Sequence, residues 1–92
     1  MNKKLKKARD KVDLLDNKIF ILIKKRTHIV KRMLKLKKYK KQIIDHKRIN
    51  QILKKITLKS KKNNIDPRIT KRIWKSMIWS YVDYQKRNFK KK

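Results

Sequence analysis

Apolar or small residues recur at Leu5, Ala8, Val12, Leu15, Ile19, Leu22, Ile29, Met33 and Leu36, in steps that mostly alternate between three and four. Only a helix lines up such residues on one side, because its 3.6-residue turn returns to the same face at those steps, whereas a strand returns every second residue. The alternating spacing is also that of a seam along which two helices pack. No Gly or Pro interrupts the stretch, so the pattern predicts one long helix over about residues 4–38. A three-helix chain of 92 residues buries only a modest core, and small all-helical chains often complete theirs by association.

The rest of the chain reads as two shorter helices. Residues 38–44 break the periodicity and form a connection. Asp45 then reads as an N-cap, with Ile44 and Ile49 placed as a hydrophobic staple. A second helix follows to about Lys62, carried on Ile49, Ile52, Leu53 and Ile56, and Asn63 with Asn64 makes the turn. Asp66 before Pro67 is a helix start: a capping carboxylate, then a proline at the first helical position. The third helix carries Ile69, Ile73, Trp74, Met77, Ile78, Tyr81 and Val82, and fades into a basic tail at residues 88–92. Without repeats or a linker, residues 1–92 are expected to form a single all-α domain of three helices.

Composition removes several function classes. There is no Gly, hence no Gly-rich phosphate loop. There is no Cys, hence no disulfide frame, thiolate metal site or cysteine nucleophile. His28 and His46 have no ligand-like partners in the sequence, so no metal is expected. Ser60, Ser76 and Ser80 lack a triad constellation. The longest apolar run in the first helix, from Ile19 to Ile23, is too short for a signal-peptide core or a membrane span. A cytoplasmic protein with no membrane partner is the expectation. The net charge of +27 has two readings: a nucleic-acid partner, or the Lys, Ile and Asn bias of A/T-rich codons, with nucleic acid bound only non-specifically.

One slot in the first stripe is held by Arg26. A charge in an apolar seam costs several kcal/mol unless it is paired. Arg9 and Lys37 belong to a seven-residue step with Asp16, Ile23 and Val30 and flank the same seam. Two explanations stand side by side: an ion pair of Arg9 or Arg26 with Asp16, or several cations facing a ligand cavity. In a chain that uses Lys almost everywhere, the Arg positions are informative, because guanidinium holds a planar carboxylate bidentately and ammonium does not. Arg9, Arg26 and Arg48 are therefore candidate carboxylate binders. Arg9 and Lys37 lie 28 positions apart, about 42 Å along a straight helix, so one helix cannot bring both to one small ligand. A site using both takes Arg9 from a second, antiparallel copy, as in an intertwined homodimer.

The same residues carry a resemblance. The stretch Ala8-Arg9-Asp10-Lys11-Val12-Asp13-Leu14-Leu15-Asp16 resembles the opening of the all-helical chorismate mutases, as do Lys25 and Arg26 with Lys37 eleven positions on. Asp45-His46-Lys47-Arg48 resembles the family's Asp-x-x-Arg at the start of the second helix. Ile65-Asp66-Pro67, then Ile73-Trp74-Lys75-Ser76-Met77-Ile78 and Gln85, resembles its third helix. The likeness covers nearly the whole chain, in order.

The resemblance implies an enzyme that rearranges chorismate to prephenate in phenylalanine and tyrosine biosynthesis, with no cofactor. It implies Lys37 and Gln85 as donors to the ether oxygen of the breaking C–O bond, and Asp45 as acceptor from the ring hydroxyl. It further implies Arg9 (in trans) and Arg26 on the substrate's carboxylates, with Arg48 helping to position the substrate. The chain departs from the pattern at Ile49, where many members have Glu, and at Tyr81, a candidate substrate-binding residue, where some place a small hydroxyl residue four positions before the Gln. Those two residues resemble the related isochorismate pyruvate lyases, a second reading that Asp45 disfavours. A basic helical nucleic-acid-binding protein is the reading from another class; the placement of Arg9 and Arg26 along an apolar seam argues against it.

Overall fold

The computed structural model describes residues 2–90 and is helical, with no strand among them. Helix α1 spans Lys3–Leu36, α2 His46–Lys62 and α3 Pro67–Asn88, with one 3₁₀ turn, Lys40–Gln42, in the first connection. By internal contacts the chain divides into two units, one ending at Arg32 and the other beginning at Met33.

The first unit is a stretch of a single helix. Asn2 opens it, its Oδ1 accepting from the Lys4 amide at 2.9 Å, which satisfies one of the donors a helix start leaves unpaired. Lys6 and Asp10 face each other one turn apart at 3.8 Å, an exposed pair of little energetic weight. Every residue from Asn2 to Lys25 is exposed; Arg26 and Thr27 are half-buried and Val30 is buried. The seam is therefore uncovered in the single chain, with Val12, Leu15, Ile19 and Leu22 all more than half exposed. Arg9 and Asp16 are exposed as well, so the first unit does not hold them as a buried ion pair.

The second unit holds the core. Asp45 caps α2 by accepting from the Arg48 amide at 3.0 Å. Asp66 caps α3 by accepting from the Arg68 amide at 2.9 Å, with Pro67 in the first turn. The Arg68 guanidinium also grips the Asp66 carboxylate, Nη2 to Oδ2 at 3.0 Å, and these bonds hold the Asp66 carboxyl below its ordinary range. Between the helices the chain reverses in a Schellman turn: Ile65 N–H donates to the Ser60 carbonyl at 2.9 Å and Asn64 N–H to that of Lys61 at 3.3 Å. Asn64 takes the left-handed conformation this requires, φ 57°. Asn tolerates it better than other residues with a Cβ.

The short turn lets α2 pack against α3. The side chains of Ser60 and Thr70 meet across the pair at 2.6 Å. Ile43, Ile49, Ile78 and Val82 are buried, together with the polar Ser60 and Gln85. Ile69 and Ile73, which the third-helix pattern includes, are more than half exposed; they lie about 180° around α3 from Ile78 and Val82, opposite the face that runs from Thr70 through Trp74 to Gln85. Helix α1 ends two residues earlier than the spacing predicts, leaving Lys37 just beyond it. Of the basic tail, Lys91 and Lys92 lie outside the described residues.

Candidate functional site

Gln85 is a polar side chain in the core, 6% exposed. Burial of an amide is tolerable only when its oxygen and nitrogen are both hydrogen-bonded. Its Oε1 accepts from Lys37 Nζ at 2.6 Å, and its Nε2 donates to the Tyr81 carbonyl, one turn back on α3, at 3.2 Å. An ammonium only donates, so Lys37 fixes which end of the amide faces it. One Gln85 N–H and two Lys37 N–H bonds remain beyond these contacts.

Lys37 reaches Gln85 from the first residue after α1, where its own amide still donates to the Leu34 carbonyl at 3.2 Å. Burial pushes its ammonium below the ordinary lysine value of 10.5, and the negative charge of Asp45 acts in the opposite direction. Desolvation disfavours the charged form, whereas an opposite charge restores it. The α2 cap thus serves twice: it closes the helix start and partly offsets the effect of burial on Lys37.

The second unit therefore brings together Lys37, Gln85 and the backbone of Tyr81, with Asp45 close enough to act on Lys37. Arg48, in the first turn of α2, is exposed, and Tyr81 is half-buried. Arg9 and Arg26 lie on the first unit, exposed and half-buried respectively, and 17 positions apart, about 25 Å along the helix. No group of three or more His, Cys, Asp or Glu side chains gathers among the described residues.

Two features of the site escape a reading by motif. A concavity at the connection is lined by Lys40, Lys41, Ile44 and Lys86, concentrating positive charge next to Lys37 and Gln85 in sequence. Gln42 is the other. Its Oε1 accepts from the amides of both Lys38 and Tyr39, each at 2.8 Å. The available signal was a Gln three residues after the residue that opens the 3₁₀ turn, the spacing of a capping box.

Fold and site together define a class: an all-helical chain with an oriented ammonium–amide donor pair where its first connection meets its last helix. A family model, chorismate mutase type II, matches residues 8–86. The match spans most of the sequence, and the chain belongs to the chorismate mutase type II family. No curated protein or solved structure matches it. Membership brings chorismate mutase-type function and a small-molecule substrate. No helix among the described residues is long and apolar enough to cross a membrane.

Proposed function

We propose that the chain rearranges chorismate to prephenate, feeding phenylalanine and tyrosine biosynthesis in the cytoplasm, and that it works as an intertwined homodimer. The observation that carries this reading is the 2.6 Å bond from Lys37 Nζ to Gln85 Oε1. The reaction is a unimolecular shift in which one C–O bond breaks as one C–C bond forms, so no nucleophile is needed. Negative charge develops on the ether oxygen as the bond breaks. Fixed donors aimed at that charge, in a site shielded from water, are worth far more than the same donors in solution. Lys37 supplies the charge-assisted bond and Gln85 its second N–H. Asp45 accepts from the ring hydroxyl.

Arg26 and the partner copy's Arg9 bind the two carboxylates, and Arg48 helps to position the substrate in its reactive conformer. The uncovered seam of α1 supports the dimer: Val12, Leu15, Ile19 and Leu22 are exposed in the single chain, and a second α1 laid antiparallel would bury them on both copies. Residues 1–92 then act as one functional domain.

The test is turnover of chorismate by purified protein, followed as prephenate appears. Lys37→Ala and Gln85→Ala are each expected to lower kcat by about 10²–10³ with helicity unchanged. A folded dimer that turns chorismate over no faster than the uncatalysed reaction overturns the proposal. The second reading, an isochorismate pyruvate lyase, is favoured by Ile49, a buried residue whose hydrocarbon side chain has no polar atom to offer a substrate hydroxyl. Assaying isochorismate on the same sample separates the two.

A further inference from the structure

We propose that Gln42 is a positioning residue for Lys37, clamping the backbone just beyond it so that the ammonium stays aimed at Gln85. The proposal rests on the reading of Lys37 and Gln85 as the donor pair. Lys37 leaves α1 with its amide still tied to the Leu34 carbonyl, which fixes one side of its Cα. The other side depends on the peptide linking it to Lys38. That unit is planar, so holding the Lys38 N–H holds the whole plane and with it the ψ angle of Lys37.

Gln42 does the holding. Its single Oε1 takes the Lys38 and Tyr39 amides together, both at 2.8 Å, which uses both lone pairs of the oxygen. Its own amide donates to the Tyr39 carbonyl at 3.0 Å, and the next amide, of Ile43, to the Lys40 carbonyl at 3.1 Å. Ile43 is buried, so the clamp is anchored in the core of the second unit at one end and closes on Lys37 at the other.

The sequence around it gives the clamp work to do. Lys37, Lys38, Lys40 and Lys41 crowd four positive charges into five residues, and their repulsion favours an extended connection that carries Lys37 away from α3. A lysine side chain is long and flexible, so re-aiming the ammonium after a backbone shift costs rotamer entropy that a held backbone avoids. Gln42 itself is exposed. It adds almost nothing to the core, and its loss is expected to disturb aim more than stability.

The experiment compares wild type, Gln42→Met and Gln42→Glu in the full chain. Met keeps the length and removes the acceptor; Glu keeps the acceptor. Three quantities are read: hydrogen exchange at the Lys38 and Tyr39 amides, the ¹H–¹⁵N resonances of the Gln85 side-chain amide, and kcat against KM for chorismate. Gln42→Met is expected to speed exchange at both amides, to move or broaden the Gln85 resonances, and to lower kcat about tenfold, since small misplacements of a catalytic group are costly. KM is expected to change less than about twofold, because the interaction lost is one made in the transition state. Gln42→Glu restores all three.

Unchanged Gln85 resonances in Gln42→Met, with Glu behaving as wild type, overturn the positioning role. So does a fall in kcat that Glu fails to rescue. If wild type itself turns over no chorismate, the proposed function fails, while the exchange and Gln85 resonances still decide whether Gln42 aims Lys37.

Discussion

The stretch ending at Arg32 and the stretch beginning at Met33 are built from the same residues, chiefly Ile, Leu and Lys, and reach opposite outcomes. In the first, Val12, Leu15, Ile19, Phe20 and Leu22 stand more than half exposed; in the second, Ile43, Ile49, Ile78 and Val82 are buried. Residue type does not account for the contrast. The second stretch contains a Schellman turn that returns the chain on itself, so α2 finds α3 within the same unit. The first is a helix without a turn, and a helix cannot cover its own stripe. An isolated helix in water is also only marginally stable, so the first stretch asks for a partner helix and the second already has one.

The largest expected effect comes from attacking the first stretch. Ile19→Asp places a carboxylate in the seam, and an unpaired charge at a buried interface costs about 3–5 kcal/mol. If the proposed dimer forms through this seam, sedimentation is expected to show monomer for the variant and dimer for wild type, with chorismate turnover lost because the proposed Arg9 of the partner copy no longer arrives. An unchanged dimer would show that the seam is not the contact. The second stretch is expected to keep its helicity, which is what separates the two.

A smaller effect is expected from titrating Lys37. Because burial lowers its pKa below 10.5, the ammonium loses its proton before an ordinary lysine does, and kcat is expected to fall on an alkaline limb below that value. Asp45→Asn removes the charge that opposes burial while keeping a capping oxygen, so the limb moves to lower pH. Stability moves the other way. The unfolded chain binds the Lys37 proton more tightly, so stability rises with pH between the folded and unfolded values. An activity limb that tracks loss of fold would therefore contradict Lys37 as its source.

The smallest effect belongs to the turn. Gly adopts the Asn64 conformation without the strain of a Cβ, and Asn64→Gly is expected to raise stability by about 0.5 kcal/mol, read as a slightly higher melting temperature. A drop would mean that the Asn64 side chain supports the reversal in a way its backbone angle does not reveal.

Much of this molecule is legible before folding. The helix starts at Asp45 and Asp66 are local chemistry, written in one or two residues, and both form caps. The long helix follows from a period sustained over nine turns. What the pattern cannot carry is where an amphipathic face is covered. Ile69 and Ile73 fit a helical spacing yet stay exposed, because Ile69 lies nine residues from Ile78 and Ile73 nine from Val82, about 180° around α3 and so on the opposite face. The site divides in the same way. Lys37 and Gln85 are 48 positions apart, and no spacing rule links them; only the resemblance paired them in advance. Gln42 is harder to find because its side-chain oxygen takes two backbone amides, and the only mark of that in the sequence is a Gln at capping-box spacing inside a short connection.

The bare stripe on α1 has a further consequence, for the lifetime of the protein in a cell. A lone copy presents an apolar helix studded with lysines, open to proteases and chaperones, and association into the proposed dimer would withdraw it. In that proposed dimer, clearance would fall hardest on dilute protein and spare concentrated protein. The chain's abundance would then be self-reinforcing: expression above the association threshold stabilised, and expression below it removed.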